Sequence, residues 1–342
     1  MRTSQIISAF VGIVLIAALA GCGTSTTTAP AAASKVLTYV AGSHCFDNAI
    51  DPSGNIWVAN GGNGTPGTAS GDSNVTKLSP SGTVIGAYVA GSFPIGMAID
   101  KSGNVWVENY GNGTPGTAPG DSNVTKLSPS GTVIGTYVAG SSPGGIAIDS
   151  SGNVWVANKG NGTQGTGLMG GNVTKLSSSG TLIGTYGAGS HPEGVAIDPG
   201  GNVWVVNKGN GTPGTAPGDS NVTKLSSSGT LIGTYVAGSL PEIVAVDSAG
   251  NVWMTNGYGQ GTSSKRDSVM ELNPSGTLIG THVTGSQPYG LAIDKSGNVW
   301  VTNYGNGTPG TGFMNSNVQE YMGAAKGSQF FPYSGPQWPG AE

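Results

Sequence analysis

Apolar and polar positions along the chain follow one pattern that returns at an interval of 49 residues, or 47 before the last copy. In one copy, the apolar run 145–149 is followed by a glycine-containing turn and by Val-Trp-Val at 154–156. A long polar loop then leads to residues 172–176 and 181–186, in which apolar and polar side chains alternate. Such alternation is typical of β-strands, and no segment of the copy shows a helical period. Each copy therefore predicts four antiparallel strands.

One tryptophan in the second strand marks each of six copies. These are Trp57, Trp106, Trp155, Trp204, Trp253 and Trp300. A fixed period of this length indicates repeated units that bury their apolar faces against their neighbours. We predict an all-β fold, a six-bladed β-propeller of four-stranded antiparallel blades. The main alternative is a glycine-rich, calcium-binding β-helix, which would need a repeat of about nine residues.

Closure of the ring depends on a strand pattern that stands apart from the other copies. Residues 36–43 repeat the fourth-strand sequence but precede the first blade, whereas the sixth blade lacks a clear fourth strand. We predict that this N-terminal strand closes the ring beside residues 318–321 of the last blade. The alternative is the tail segment 327–331, which aligns loosely with the same strand.

The first 22 residues are predicted to be a lipoprotein signal peptide. A positive charge at Arg2 precedes the apolar run 6–20, which is too short to span a bilayer comfortably. The run ends in Leu-Ala-Gly-Cys, which resembles a bacterial lipobox. This resemblance implies that Cys22 is acylated and becomes the first residue of the mature protein. We expect an exported, extracytoplasmic protein held on a bacterial membrane by lipid alone, at the outer membrane or cell surface.

The rest of the chain divides into three parts by composition. Residues 23–34 are small and polar without apolar periodicity, which predicts a flexible tether. The repeats predict a propeller over 35–323, and residues 324–342 form a C-terminal tail. If Cys22 carries lipid, Cys45 is the remaining thiol, and no disulfide can form within the chain.

The repeat consensus is Pro-x-Gly-(Ile/Val/Leu)-Ala-(Ile/Val)-Asp-x-x-Gly-Asn-(Val/Ile)-Trp-Val. It resembles NHL-type repeats and, among these, the propeller of the streptogramin lyase (virginiamycin B lyase) family. That resemblance implies the propeller fold. Members of the family use histidines and a glutamate with a magnesium ion to open a cyclic depsipeptide by elimination. This chain has three histidines and no Glu-x-His pairing, so no catalytic residue is carried over by position.

Charge narrows the range of partners. Charged residues make up 9% of the chain, the formal net charge is −4, and no basic run occurs, which excludes a nucleic-acid partner. We expect a monomer whose loop-rich face acts as a binding module for an unidentified protein, peptide or glycan. The alternatives are a streptogramin lyase-like or lactonase-like enzyme with a divalent metal at the channel mouth, and a structural envelope protein.

Candidate site residues are sought where the copies differ, because packing and turns occupy the consensus positions. The connection from the fourth strand of one blade to the first strand of the next varies most, and its residues are predicted to surround one mouth of the central channel. These candidate rim residues are His44, Asp47, His191, Glu193, Glu242 and Tyr289. By contrast, the aspartate that closes the first strand recurs in every copy, so we expect it to serve a turn.

Three of the rim residues come from adjacent blades and could work together. His191, Glu193 and Glu242 form the one plausible metal or acid–base cluster in the sequence. If the chain is an enzyme, a magnesium or calcium ion is the expected cofactor at these residues. The alternative is that they are solvated side chains at the rim of the propeller.

Overall fold

Six antiparallel sheets follow one another in chain order. The structure, a computed structural model, describes residues 41–321 except for 70, 119, 161–170, 211, 217, 258–266, 286, 295–296 and 304–316. All regular structure in these ranges is β-strand. Within them, no helix is long and apolar enough to cross a membrane.

Five of the sheets have four strands each. Blade one contains β1 (Cys45–Ile50), β2 (Ile56–Asn60), β3 (Asn74–Leu78) and β4 (Val84–Tyr88). Blade two contains β5 (Pro94–Ile99), β6 (Val105–Asn109), β7 (Asn123–Leu127) and β8 (Val133–Tyr137). Blade three contains β9 (Pro143–Ile148), β10 (Val154–Asn158), β11 (Asn172–Leu176) and β12 (Leu182–Gly187). Blade four contains β13 (Pro192–Ile197), β14 (Val203–Asn207), β15 (Asn221–Leu225) and β16 (Leu231–Val236). Blade five contains β17 (Pro241–Val246), β18 (Val252–Asn256), β19 (Ser268–Leu272) and β20 (Leu278–Val283).

The sixth blade has three described strands, β21 (Pro288–Ile293), β22 (Val299–Asn303) and β23 (Asn317–Tyr321). In every blade the strands pair antiparallel in sequence order, so the first strand is innermost and the last is outermost. The predicted four-stranded blade is therefore confirmed for five blades. Most of the predicted closing strand, residues 36–40, and the alternative segment 327–331 lie outside the described residues.

The core consists of layers between consecutive blades. Between blades three and four, for example, Trp155 and Val173 pack against Val203 and Val205. The tryptophans of the first five blades are fully buried, whereas Trp300 in the sixth is partly exposed. A single blade could not bury these side chains, which explains why the unit must be repeated.

A hydrogen-bonded aspartate holds each turn between the first and second strands. In blade three, Asp149 Oδ1 accepts from the backbone N–H groups of Ser151 and Asn153, and its Oδ2 accepts from Trp155 Nε1 at 3.1 Å. Lys175 Nζ lies 3.8 Å from the same oxygen and donates at 2.7 Å to the carbonyl of Ser227 in blade four. The repeated aspartate therefore supports a turn and a link between blades, in agreement with the turn role expected from its recurrence.

Consecutive inner strands contact one another from the first blade to the sixth. The first and last inner strands, β1 and β21, are not packed against each other in this way. The chain nevertheless enters blade one as it enters the other blades. The carbonyl of Ala41 accepts from Thr76 Oγ1, as the carbonyl of Ala90 accepts from Thr125 Oγ1 in blade two. Ala41 thus corresponds to Ala90, which follows the outer strand of blade one.

Two glycines let the inner strands of blades three to five approach closely. A Cβ on Gly145 would lie 2.7 Å from the carbonyl oxygen of Glu193, and one on Gly194 would lie 3.2 Å from that of Glu242. Larger residues would push these strands apart.

We call the end at which the inner strands begin the mouth and the opposite end the base. The long loops after the second strands lie at the mouth, because Gly61 N donates to the carbonyl of His44 there.

Candidate functional site

Four charged side chains form a chain of ion pairs at the mouth. Lys159 Nζ lies 2.7 Å from Glu193 Oε2, and Lys208 Nζ lies 2.7 Å from Glu242 Oε1. Lys208 Nζ also lies 3.8 Å from Glu193 Oε1, so the four residues are continuous across blades three, four and five. We call Lys159, Glu193, Lys208 and Glu242 the mouth ladder.

The repeat geometry places each side chain of the ladder. Lys159 and Lys208 directly follow the second strands of blades three and four, whereas Glu193 and Glu242 are the second residues of inner strands. Each lysine can therefore reach the glutamate of the next blade. The path of Lys159 requires a glycine at position 144, because a Cβ on Gly144 would lie 2.7 Å from Lys159 Cε.

The ladder is partly shielded from water, and the protonation of its members reflects this. Burial disfavours the charged form of Lys159, but the ion pair with Glu193 outweighs that effect and raises the Lys159 pKa. Burial raises the pKa of Glu242, although Lys208 opposes the shift. In blade six, Tyr289 is 39% exposed, yet the surrounding protein and the charge of Glu242 raise its pKa to about 12.

A second acidic feature lies beside the ladder in blades one and two. Asp47 is 3% exposed, and its two carboxylate oxygens accept from the backbone N–H groups of Asn48 and Met97, each at 2.7 Å. Burial raises the pKa of Asp47 to about 7, and the two hydrogen bonds offset only part of that rise. The carboxyl group of Asp47 therefore changes charge near neutral pH.

Glu108 is the more isolated of the two acidic residues. It is fully buried, and neither carboxyl oxygen has a hydrogen-bond partner among the described residues. Burial raises its pKa well above the usual value; Lys159 opposes this, while Asp47 and Glu193 add to it. Glu108 therefore holds its proton more strongly than an ordinary glutamate does. A buried, unpartnered polar group of this kind is costly and is expected to have a function.

Asp47 and Glu108 occupy related places in successive blades. The counterpart of Asp47 in blade two is Gly96, and Glu108 Oε2 lies 2.9 Å from where a Cβ on Gly96 would be. In blade one the residue equivalent to Glu108 is Ala59, which leaves room for Asp47. Each of these two blades thus has one carboxyl group near the axis, supplied from different strands.

The structure brings some of the predicted rim residues together. Glu193 and Glu242 both form ion pairs with Lys208, and Tyr289 of blade six interacts electrostatically with Glu242 and with Asp47 of blade one. Cys22 lies outside the described residues.

The two predicted histidines take no part in the ladder. His44 and His191 are exposed, with left-handed backbone φ angles of 52° and 50°. The equivalent residue of blade two, Phe93, lies beside Gly64 in the loop of the preceding blade, so this position is directed away from the axis. His191, Glu193 and Glu242 are therefore not assembled as metal ligands.

The described residues do not fit the divalent ion that the family resemblance implies. Among them, no group of three His, Cys, Asp or Glu side chains could hold a metal. The physical reason is local. Glu193 and Glu242, the predicted metal ligands, are already paired with the ammonium groups of Lys159 and Lys208.

Sequence reasoning missed three residues of this site: Glu108, Lys159 and Lys208. Candidates were sought in the connections between blades, whereas these residues lie on or just after second strands. A signal was present, because the residues equivalent to Glu108 are uncharged. They are Ala59, Ala157, Val206, Thr255 and Thr302.

Comparison with known structures identifies the fold. Virginiamycin B lyase from Staphylococcus aureus matches with a TM-score of 0.58 and 11% identity, over 82% of this chain and 85% of that chain. A gluconolactonase from Xanthomonas campestris matches with a TM-score of 0.51 and 18% identity, over 78% of this chain and 84% of that chain. A Bacteroides caccae protein of unknown function matches with a TM-score of 0.51 and 11% identity, over 77% of this chain and 92% of that chain.

These likenesses concern the fold. The chain has a streptogramin lyase-like propeller, as its repeats predicted, and gluconolactonases share this architecture. The sequence matches no protein-family model and no curated protein.

Proposed function

We propose that this streptogramin lyase-like propeller is an exported, membrane-tethered binding module whose ligand enters the mouth. The observation that carries the proposal is the convergence of six non-repeating charged residues on that one end. The chain has 9% charged residues, yet the mouth ladder, Asp47 and Glu108 all lie there. The repeated charged residues serve turns and blade contacts instead.

The chemistry of the mouth favours a ligand that donates hydrogen bonds from a basic group. Both carboxyl oxygens of Glu108 are buried without partners among the described residues, and Asp47 lies close enough to interact with Glu108 electrostatically. An ammonium group would satisfy Glu108 and favour ionisation of both carboxyl groups. Lys208 is 30% exposed and is available to an anionic group of the same ligand. Peptides and amino-sugar glycans combine these groups.

The binding proposal predicts that Glu108→Gln lowers the affinity for the ligand at least about tenfold, because a charged hydrogen bond to a buried group contributes about 1.5–3 kcal/mol. Short peptides and amino sugars would first be screened by thermal shift, and the strongest ligand measured by calorimetry. Glu271→Gln, the same change on the third strand of blade five, is the matched control and should bind like wild type. Equal affinity of wild type and Glu108→Gln would contradict the proposed site.

Attachment to the membrane is the second part of the proposal. It rests on the lipobox-like sequence ending at Cys22 and on the small-residue tether 23–34 that follows. Stable anchoring needs two or more acyl chains, which lipoprotein processing would supply at Cys22.

The anchoring proposal predicts that cells expressing the full chain incorporate labelled palmitate into it and that Cys22→Ser abolishes the label. The variant should also leave the membrane fraction. Cys45→Ser is the matched control, since it removes the second thiol and should leave labelling unchanged. Equal labelling of wild type and Cys22→Ser would contradict the anchor.

Ring closure by the N-terminal strand is also part of the proposal. Support comes from Ala41, whose carbonyl accepts from Thr76 as Ala90 does from Thr125 one blade later. In blade two that alanine follows the outer strand of the preceding blade. By the same geometry, residues 36–40 would supply the outer strand of blade six.

An elimination or lactone-opening enzyme is the second candidate. It is favoured by Asp47, whose pKa of about 7 suits a general base, next to Glu108, whose raised pKa suits a general acid. In an elimination, Asp47 would take a proton from carbon, the neighbouring carbon–oxygen bond would break, and Glu108 would protonate the departing oxygen. The structural neighbours include a virginiamycin B lyase and a gluconolactonase. Turnover of a cyclic depsipeptide or gluconolactone that is lost in Asp47→Asn would favour the enzyme over the binding module.

A further inference from the structure

Every blade with four described strands exposes two adjacent aliphatic side chains at the start of its outer strand. Each of these side chains is between 47% and 59% exposed. They are Val84, Ile85, Val133, Ile134, Leu182, Ile183, Leu231, Ile232, Leu278 and Ile279. We call these ten residues the aliphatic belt.

The belt lies at the base, opposite the mouth. Each outer strand begins after a base turn and runs towards the mouth, where the next inner strand starts. The belt residues are the first two residues of these strands, so they encircle the base of blades one to five. Such a repeated exposure of large aliphatic groups exceeds the scattered apolar residues of an ordinary surface and indicates an interaction surface.

The turns that lead into the belt, between the third and outer strands, carry no charge. They consist of Ser, Pro, Gly, Thr and Asn residues. These turns are 79–83, 128–132, 177–181, 226–230 and 273–277. An apolar belt bordered by uncharged, hydrogen-bonding groups suits the boundary between lipid headgroups and acyl chains, where charged residues would oppose insertion.

The chain that precedes the described residues also points to the base of the propeller. Residues 23–40 separate Ala41 from Cys22, and 36–40 repeat an outer-strand sequence that runs from base to mouth in the other blades. The tether 23–34 would therefore leave the propeller at the base. Twelve flexible residues span roughly 20 Å, which would keep the base close to a membrane that holds Cys22.

We propose that the aliphatic belt rests on the lipid surface that carries the anchor, with the mouth directed away from the membrane. This inference rests on the proposed lipid anchor and adds an orientation to it. Dipping of about ten half-exposed aliphatic side chains into the interface would hold the propeller in one orientation, which a flexible tether alone could not do. The ligand site would then face the surroundings of the cell envelope.

The experiment uses the full lipidated chain in vesicles of phosphatidylcholine and phosphatidylglycerol. A fluorophore is attached to a single introduced cysteine in a Cys45→Ser background. Ile134→Cys places it in the belt, and Thr65→Cys places it in an exposed loop at the mouth as the matched control. Lipids brominated on their acyl chains should quench the belt fluorophore roughly tenfold more strongly than the mouth fluorophore.

Equal quenching at the two positions in vesicle-bound protein would overturn the orientation while leaving the anchor intact. Failure of the anchor is seen separately, as absence of acylation at Cys22.

A second copy of the chain is the alternative occupant of the belt. A wild-type dimer in detergent solution that becomes monomeric in the Val133→Ser, Ile134→Ser variant would also overturn the proposal. A monomer in both, with quenching confined to the belt, supports it.

Discussion

Replacing Trp155 with alanine is expected to lower the free energy of unfolding by about 3–5 kcal/mol, as truncation of a buried aromatic residue does. Its indole ring is fully buried between blades three and four. Its Nε1 donates to Asp149 at 3.1 Å, and Lys175 Nζ lies 4.6 Å from the ring centroid. The variant would lose all three contributions and leave a cavity in the interface.

The measurement is denaturant unfolding of wild type and Trp155→Ala under identical conditions. The sixth blade offers a matched control, because Trp300 has the same aspartate contact but is partly exposed. Trp300→Ala should therefore lower the free energy of unfolding by clearly less than Trp155→Ala does. A loss below about 1 kcal/mol for Trp155→Ala would mean that the tryptophans do not form the interfaces between blades.

Raising the pH from about 5 to about 8 is expected to destabilise wild type relative to Asp47→Gly by about 2.5 kcal/mol. The buried Asp47 has a pKa of about 7 in the folded protein, compared with 3.8 for an ordinary aspartate. Between these values the folded state binds more protons than the unfolded state. Stability contributed by protonated Asp47 is thus present at low pH and is lost as the pH rises through 7.

Glycine is the appropriate replacement, because it occupies the same position in four other blades, as Gly96, Gly145, Gly194 and Gly290. The two proteins would be unfolded thermally across this pH range, and the difference between their stabilities compared. Loss of the hydrogen bonds to Asn48 and Met97 lowers the stability of the variant by a constant amount, so the slope with pH is the informative quantity. The stability of wild type relative to Asp47→Gly should fall as the pH rises. A relative stability that stays constant or rises with pH would contradict burial of an uncharged Asp47.

Features that depend on local sequence and on repetition were predictable. The turn at Asp149, the strand containing Trp155 and the alternation of the outer strands repeat in each copy, so each prediction was supported several times. The long loops also lie at the predicted mouth. The rim position of Glu193 and Glu242 followed from the same comparison of copies, because both stand at a position that varies between blades at the start of an inner strand.

Features that depend on distances between blades were not predictable. Glu193 and Glu242 attracted attention as metal ligands, but whether a lysine of the preceding blade reaches them depends on how closely the inner strands approach at Gly145 and Gly194. The left-handed backbone of His191 likewise has no signature in its own residue type. The direction of the His191 side chain, away from the mouth ladder, became clear only from the tertiary structure.

The most direct test of the proposed site is the structure of the complex with the strongest ligand from the screen. We expect the basic group of that ligand at hydrogen-bond distance, about 3 Å, from a carboxyl oxygen of Glu108, with the rest of the molecule along the mouth ladder. A ligand bound instead on the outer strands or at the base, with the mouth unchanged, would contradict the assignment of the mouth as the functional site.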